Sequence, residues 1–251
     1  MPEIIDTGSL SSRKFLGRLL RYPLRFIPSS TAIPILSGRL RGMWWIPGSA
    51  IHRCWMGFYE LQKQQLISKE VQGGTVFYDV GANVGFYSLL ASILVGPGEV
   101  FAFEPVPKNV AYLKKHLELN RVKNVKVFEV AVSDNAGTMR FQTEPTGFKG
   151  HLSSEGIPVS VTTLDTLVVG KEILPPKYIK MDIEGAELLA LRGAETTVRE
   201  FHPTIFLATH GHNVGRLCRE LLESWGYTCQ DLGPDTSDGL GEILARFSHQ
   251  V

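Results

Sequence analysis

Between Thr75 and Ser88 a short apolar run, Val76 to Val80, is interrupted only by Asp79 and then turns through Gly81 and Gly85 into a helical pattern. Such a run reads as a strand buried on both faces. The two glycines supply backbone freedom where the chain reverses, and they let main-chain N–H groups approach a ligand at the start of the helix. A strand, a glycine turn and a crossover helix predict an α/β chain whose ligand sits outside the carboxyl ends of parallel strands.

The spacing Gly81-x-Asn83-x-Gly85 is not the G-x-G-x-x-G of a dinucleotide site, which leaves an NAD-dependent oxidoreductase as a weaker reading. Asp79 would repel a phosphate and hold an amino group or a sulfonium. A second apolar strand, Glu99 to Phe103, ends at Glu104, ~20 residues past the last glycine, where a ribose-diol acceptor belongs in a βαβ unit. Together these point to S-adenosylmethionine. Glu60 precedes the turn closely enough to reach the same ligand, and the exit of the third strand, Val130 to Asp134, is expected beside the adenine.

Further strands are expected at Val125–Val132, Thr138–Gln142, Val159–Asp165 and Thr204–His210, with Tyr178–Glu187 a core strand and its exit. Tyr227–Leu232 and Glu242–Phe247 are expected to pair as a terminal hairpin. Residues 143 to 158, rich in Gly, Ser, Thr and Pro, read as a lid over the substrate or an insert without fixed structure. Asp79, Glu104, Asp182 and His210 all fall at strand ends, and this convergence marks a site.

Methyl transfer to a hydroxyl requires a base near the acceptor, and His210 and Asp182 are the candidates. A bland role stands beside each: His210 as a strand-end hydrogen bonder, Asp182 and Glu184 as helix caps. Asp182, Glu184 and His210 also offer oxygen and nitrogen ligands to a divalent cation, although their spacing does not demand one.

Charge separates the chain into two parts. Residues 12 to 59 hold eight Arg or Lys and no Asp or Glu, against a net charge of +1 for the whole 251 residues. A basic N-terminal extension over residues 1–70 is therefore expected, partly helical, with Phe15, Leu16, Leu19 and Leu20 near helical spacing between arginines; residues 71–251 form the ligand-binding domain. The extension suggests peripheral contact with an anionic membrane, or a non-catalytic cofactor-binding module recruited to a polyanion, whereas the overall balance argues against a nucleic-acid partner. Cys54, Cys218 and Cys229 lack C-x-x-C spacing, no apolar run is long enough for a membrane span and the first residues lack a secretory pattern, so a cytoplasmic chain is expected, peripheral at most to the inner face of the membrane.

Several blocks together resemble the FkbM-type methyltransferases over about residues 40 to 232. They are Trp55-Met56-Gly57-Phe58-Tyr59-Glu60, Tyr78-Asp79-Val80-Gly81-Ala82-Asn83-Val84-Gly85, Phe103-Glu104-Pro105, Ala131-Val132-Ser133-Asp134 and, above all, Ile179-Lys180-Met181-Asp182-Ile183-Glu184-Gly185-Ala186-Glu187. The resemblance implies a class I methyltransferase (Rossmann-like) fold, a mostly parallel seven-stranded sheet closed by the antiparallel hairpin, with O-methylation of a hydroxyl on a sugar, glycolipid or natural product. It implies Asp79, Gly81 and Asn83 at the methionine end, Glu104 at the ribose, Ala131 at the adenine, and Asp182 with Glu184 at the methyl-transfer face. This chain departs from the family at Thr209, where many relatives carry an acid.

Overall fold

The computed structural model describes residues 30–143, 150–153, 156–233 and 240–248. The helix expected between Ser11 and Arg25 lies outside them, and with it most of the charge behind the membrane expectation; Arg39, Arg41 and Arg53 are described and exposed. No helix among the described residues is long and apolar enough to cross a membrane.

The chain enters through a two-stranded ribbon, β1 (Ile33–Pro34) and β2 (Trp44–Trp45), then helices α1 (His52–Met56) and α2 (Leu61–Glu70). The central units follow as β3 (Val76–Val80), α3 (Phe86–Val95), β4 (Glu99–Phe103), α4 (Pro107–Leu119) and β5 (Val125–Phe128). Next come β6 (Ala131–Val132), β7 (Gly137–Thr143), β8 (Gly150–Ser153), β9 (Ile157–Thr162) and α5 (Leu164–Val169). The remainder is β10 (Tyr178–Met181), α6 (Glu187–Arg192), α7 (Glu195–Phe201), β11 (Thr204–His210), α8 (His212–Ser224), β12 (Tyr227–Asp231) and β13 (Leu240–Phe247).

Seven strands form one sheet in the order β12-β13-β11-β10-β3-β4-β5. All neighbours are parallel except β13, which runs antiparallel to both β11 and β12. The seven-stranded sheet and its reversed hairpin are thus as expected. β3 and β10 are neighbours although the chain runs outward from them in opposite directions, and this switch opens a crevice at their carboxyl ends.

The central strands bury both faces because apolar side chains occupy most positions on each side, Asp79 and Lys180 being buried charged exceptions. Phe77, Val100 and Ala102 pack on one face with Leu89 and Leu90 of α3; Tyr78, Val80, Phe101, Ile179 and Met181 pack on the other with Leu191 and Leu222. At roughly 1.5–3 kcal/mol per large buried side chain, these two layers supply most of the driving force.

Two expectations change here. The apolar run Val125 to Val132 is not one strand: β5 ends at Phe128, and Ala131–Val132 leaves the main sheet to pair in parallel with Val161–Thr162 in a second sheet, ordered β6-β9-β7-β8. Periodicity does not record a change of pairing partner. In the stretch 143–158, expected as a lid or an unstructured insert, the described residues pair, with β8 against β7 and the start of β9 beside them, which overturns the unstructured reading there. Residues 144–149 and 154–155 lie outside the described set.

The segment before residue 70 shares a core with the sheet. Ile35, Leu40, Trp45, Trp55 and Ile67 are buried in the same cluster as Phe77 and Leu89. His116 of α4 pins this segment in place. Its ring stacks on Trp45 at 3.9 Å, its Nε2 accepts from the Ile46 N–H at 3.1 Å and its Nδ1–H donates to the Val84 carbonyl at 2.8 Å. Burial pulls the imidazole down to about 4 from its ordinary 6.5. The folded state therefore keeps it neutral while the unfolded chain takes a proton, so this contribution is complete above pH 6.5 and is lost as pH falls towards 4. The expected loss is about 3 kcal/mol. Urea denaturation at pH 7 and pH 4.5 should show a smaller decrease in His116→Gln than in the wild type; equal decreases would refute the assignment.

Candidate active site

The crevice at the switch point is a cavity of about 580 Å³, within the size range of small-molecule sites. Its wall follows the strand order. Glu242 of β13, His210 at the end of β11, and Asp182 and Glu184 after β10 stand on one side. The turn Gly81–Asn83 after β3 and Glu104 after β4 come next, and Val106, Ala131 and Phe141 form an apolar slot at the far side. Glu60 and Lys63, from the start of α2, close the acidic end.

The glycine turn is held by backbone bonds from Gly81 and Ala82 to the Phe103 carbonyl, at 3.0 and 2.9 Å. Gly81 has φ +78° and Asn83 φ +50°. A Cβ on Gly81 would lie 2.0 Å from the Asp182 carbonyl oxygen, and one on Gly85 would lie 2.4 Å from Leu113 Cδ1. Both glycines are therefore demanded by contact with the protein itself. This corrects the ligand-approach half of the expectation for Gly85, which does not line the cavity; Gly81 does line it, and the sharp-turn half holds for both.

Asp79 is the second correction. It is fully buried, absent from the cavity wall, and bound to Lys180 at 3.1 Å with Ser88 Oγ–H donating to its other oxygen at 2.7 Å. The β3–β10 register sets Lys180 directly across from Asp79, so the cation Asp79 holds is a lysine rather than a ligand. Lys180 in turn donates to the Gly81 carbonyl at 2.8 Å and reaches the cavity. A lysine inside a strand buried at every position was the signal that could have shown this in advance.

Glu104 is where the ribose reading puts it, on the wall at the tip of β4. Its Oε2 accepts from the Asn83 N–H at 2.8 Å, and its Oε1 accepts from the Val106 N–H at 3.0 Å and the Asn109 amide at 3.2 Å. Three of about four acceptor positions are thereby used. Burial raises its pKa against the pull of those donors. Ala131 lies in the apolar slot, and Glu60, which adopts φ +44°, accepts from the Tyr87 hydroxyl at 2.7 Å.

The acidic end is organised around two residues that the motif blocks did not single out. Lys63, 7% exposed, lies 2.5 Å from Glu242, 3.0 Å from Glu60 and 3.9 Å from Asp182. Burial alone would lower its pKa; Asp182, Glu60 and Glu242 more than offset this and hold it raised. Glu187, with no exposed surface, accepts from the Ile183 and Gly185 N–H groups at 3.3 and 3.0 Å and binds His210 Nδ1 at 2.8 Å. His210 Nε2 then faces Glu184 at 3.3 Å and Asp182 at 3.7 Å. Burial lowers the imidazole pKa, but the Glu187 bond and the charges of Asp182, Glu187 and Glu184 leave it raised overall. Asp182, Glu184 and His210 thus converge, as their strand-end positions suggested, and Glu187 holds the N–H groups of Ile183 and Gly185 in the loop that leads into α6.

Five carboxylates on the wall (Glu60, Glu104, Asp182, Glu184 and Glu242) outnumber the two ammonium groups of Lys63 and Lys180. Such a wall favours a cationic ligand and opposes a diphosphate, which weighs against the nicotinamide reading.

Residues 79–229 match the family model of the methyltransferase FkbM domain. The hexuronic acid methyltransferase AglP of Haloferax volcanii is 30% identical over 132 residues, covering 51% of this chain and 54% of its own length. The 31-O-demethyl-FK506 methyltransferase FkbM of Streptomyces tacrolimicus is 29% identical over 162 residues, covering 50% of this chain and 62% of its own. The alignments thus span less than two thirds of either relative. Among solved structures, Trm5b from Pyrococcus abyssi superposes with a TM-score of 0.50 at 16% identity, over 87% of this chain and 56% of that one, a likeness of fold alone.

Proposed function

Because the chain belongs to the methyltransferase FkbM family, we propose that it binds S-adenosylmethionine in the crevice and methylates a hydroxyl on a sugar, glycolipid or natural product. The observation that carries this reading is the polarity sequence along the cavity wall: an acidic end, then Glu104, then an apolar slot. The donor set fits the cofactor. Val106, Ala131 and Phe141 would receive the adenine, Glu104 the ribose hydroxyls, and the carboxylates around Asp182 the cationic methionine end. When bound, the cofactor supplies an electrophilic methyl group on a sulfonium. The chain's own residues align the acceptor, screen it from water and take up its proton, and the Asp182–Glu184–His210 cluster is the group available for that last task. The names of the two relatives support a sugar or natural-product acceptor.

Isothermal titration with S-adenosylhomocysteine tests the reading, with NAD as the competing ligand. Binding of the first and none of the second is expected. Glu104→Gln, which keeps the volume and one acceptor oxygen, should weaken binding by about 1.5 kcal/mol, roughly tenfold in Kd. Absence of heat with S-adenosylhomocysteine at saturating concentration would end the proposal. Binding without any methyl transfer to hydroxyl acceptors would favour the non-catalytic module instead.

A further inference from the structure

We propose that Asp182, Glu184 and His210 form a binding site for a first-row divalent transition-metal ion at the acidic end of the cavity. One atom from each, a carboxylate oxygen from the acids and a ring nitrogen from His210, lies within 4.8 Å of the others. Nε2 to oxygen separations of 3.3 and 3.7 Å are longer than the ~2.7–2.9 Å of a charge-assisted hydrogen bond. Bonds of about 2.0–2.2 Å set neighbouring ligand atoms about 3.0–3.6 Å apart, a range that the Glu184 separation meets and the Asp182 separation passes slightly, so the Asp182 side chain would close in a little on the ion.

A second observation concerns how the histidine is held. Glu187 is wholly buried and occupies Nδ1, so in the neutral ring the lone pair is the one on Nε2, the nitrogen that faces the two carboxylates. A carboxylate behind a ligating histidine is the usual outer partner of such sites, fixing tautomer and ring orientation. The same Glu187 oxygen accepts from the Ile183 and Gly185 N–H groups, so one buried carboxylate shapes both the loop that carries Asp182 and Glu184 and the ring that faces them. Glu184 itself is held at φ +53°, an uncommon conformation for a non-glycine residue.

Imidazole with two carboxylates suits manganese, iron, cobalt or zinc better than calcium or magnesium. All three side chains are partly exposed and line the cavity, which leaves coordination positions open towards the acceptor. A hydroxyl bound there would lose its proton more readily, because the ion stabilises the alkoxide; with Asp182, Glu184 and His210 engaged as ligands, the proton would pass to water in the cavity instead of to the cluster. The role, although not the binding, rests on the methyl-transfer reading.

The test is a manganese titration of the full chain after chelator treatment, followed by electron paramagnetic resonance of the free ion, with S-adenosylhomocysteine titrated into the same preparation. One Mn²⁺ per chain is expected, with affinity falling at least tenfold in His210→Ala and in Glu184→Gln, and unchanged in Glu220→Gln on the exposed face of α8. Thermal melts of each variant separate loss of a ligand from loss of fold. No binding at millimolar Mn²⁺, or binding indifferent to His210→Ala, would overturn the proposal. If S-adenosylhomocysteine still binds in that case, the methyl-transfer reading survives; metal uptake without S-adenosylhomocysteine binding would sink that reading and leave the metal site standing.

Discussion

Gly81→Ala is expected to abolish the fold before it affects any ligand. Gly81 follows the last residue of β3 beside Asp182 of the neighbouring strand end, and the Asp182 N–H donates to the Val80 carbonyl at 3.1 Å. The new methyl would meet the Asp182 carbonyl oxygen at 2.0 Å and Ile183 Cγ2 at 2.9 Å, forcing the central strand pair apart at the cavity mouth. The positive φ adds about 1–2 kcal/mol, and the total should exceed about 4 kcal/mol, enough to leave little soluble folded protein. Gly74→Ala is the control, because it shares a φ of +76° and has nothing within 4 Å of the added carbon. It should cost only the backbone term. Urea denaturation and soluble yield compare the two. A Gly81→Ala protein as stable as the Gly74→Ala one, with S-adenosylhomocysteine binding lost, would return the glycine to the ligand-approach role expected from the motif.

Asp79→Ala should destabilise the chain by about 3–5 kcal/mol, because it strands the Lys180 ammonium in the interior without its counter-charge. Both side chains are almost completely buried, at 0% and 4% exposure, so solvent does little to screen the pair. Replacing both, as Asp79→Leu with Lys180→Met, should recover most of the loss, since an apolar pair of similar volume removes the desolvation cost along with the attraction. A double-mutant cycle in urea measures this. Should Asp79→Ala keep wild-type stability and lose only cofactor affinity, the acid would have to be reassigned to the ligand.

These two results bear on what a motif means. The block Asp79-x-Gly81-x-x-x-Gly85 signals a ligand-binding turn, and the turn does border the cavity through Gly81, Ala82, Asn83 and Val84. Yet three of its most conspicuous positions, Asp79, Gly81 and Gly85, have intramolecular contacts that account for their identity. A motif residue is recognisable in sequence because substitution there is costly, and the cost arises equally from packing and from chemistry. Lys180 lay inside a recognised block, where a lysine in an apolar strand signals a buried partner, but that the partner is Asp79 was not legible because the two are far apart in the chain. The pairing of Lys63 with Glu242 was invisible for the same reason.

Order along the chain by itself determined the alternation of strands and helices, the reversed terminal hairpin, and the gathering of Glu104, Asp182, Glu184 and His210 at one rim, because apolar periodicity and strand-end position are local properties and parallel strands share one carboxyl edge. Tertiary structure alone decided that Asp79 faces a lysine, that Val125 to Val132 divides between two sheets, that residues upstream of 70 complete the core, and that Lys63 joins Glu60 at the acidic end of the site. Each of those outcomes depends on register between distant strands, and register is set by the side-chain interlock of the folded core rather than by any one segment.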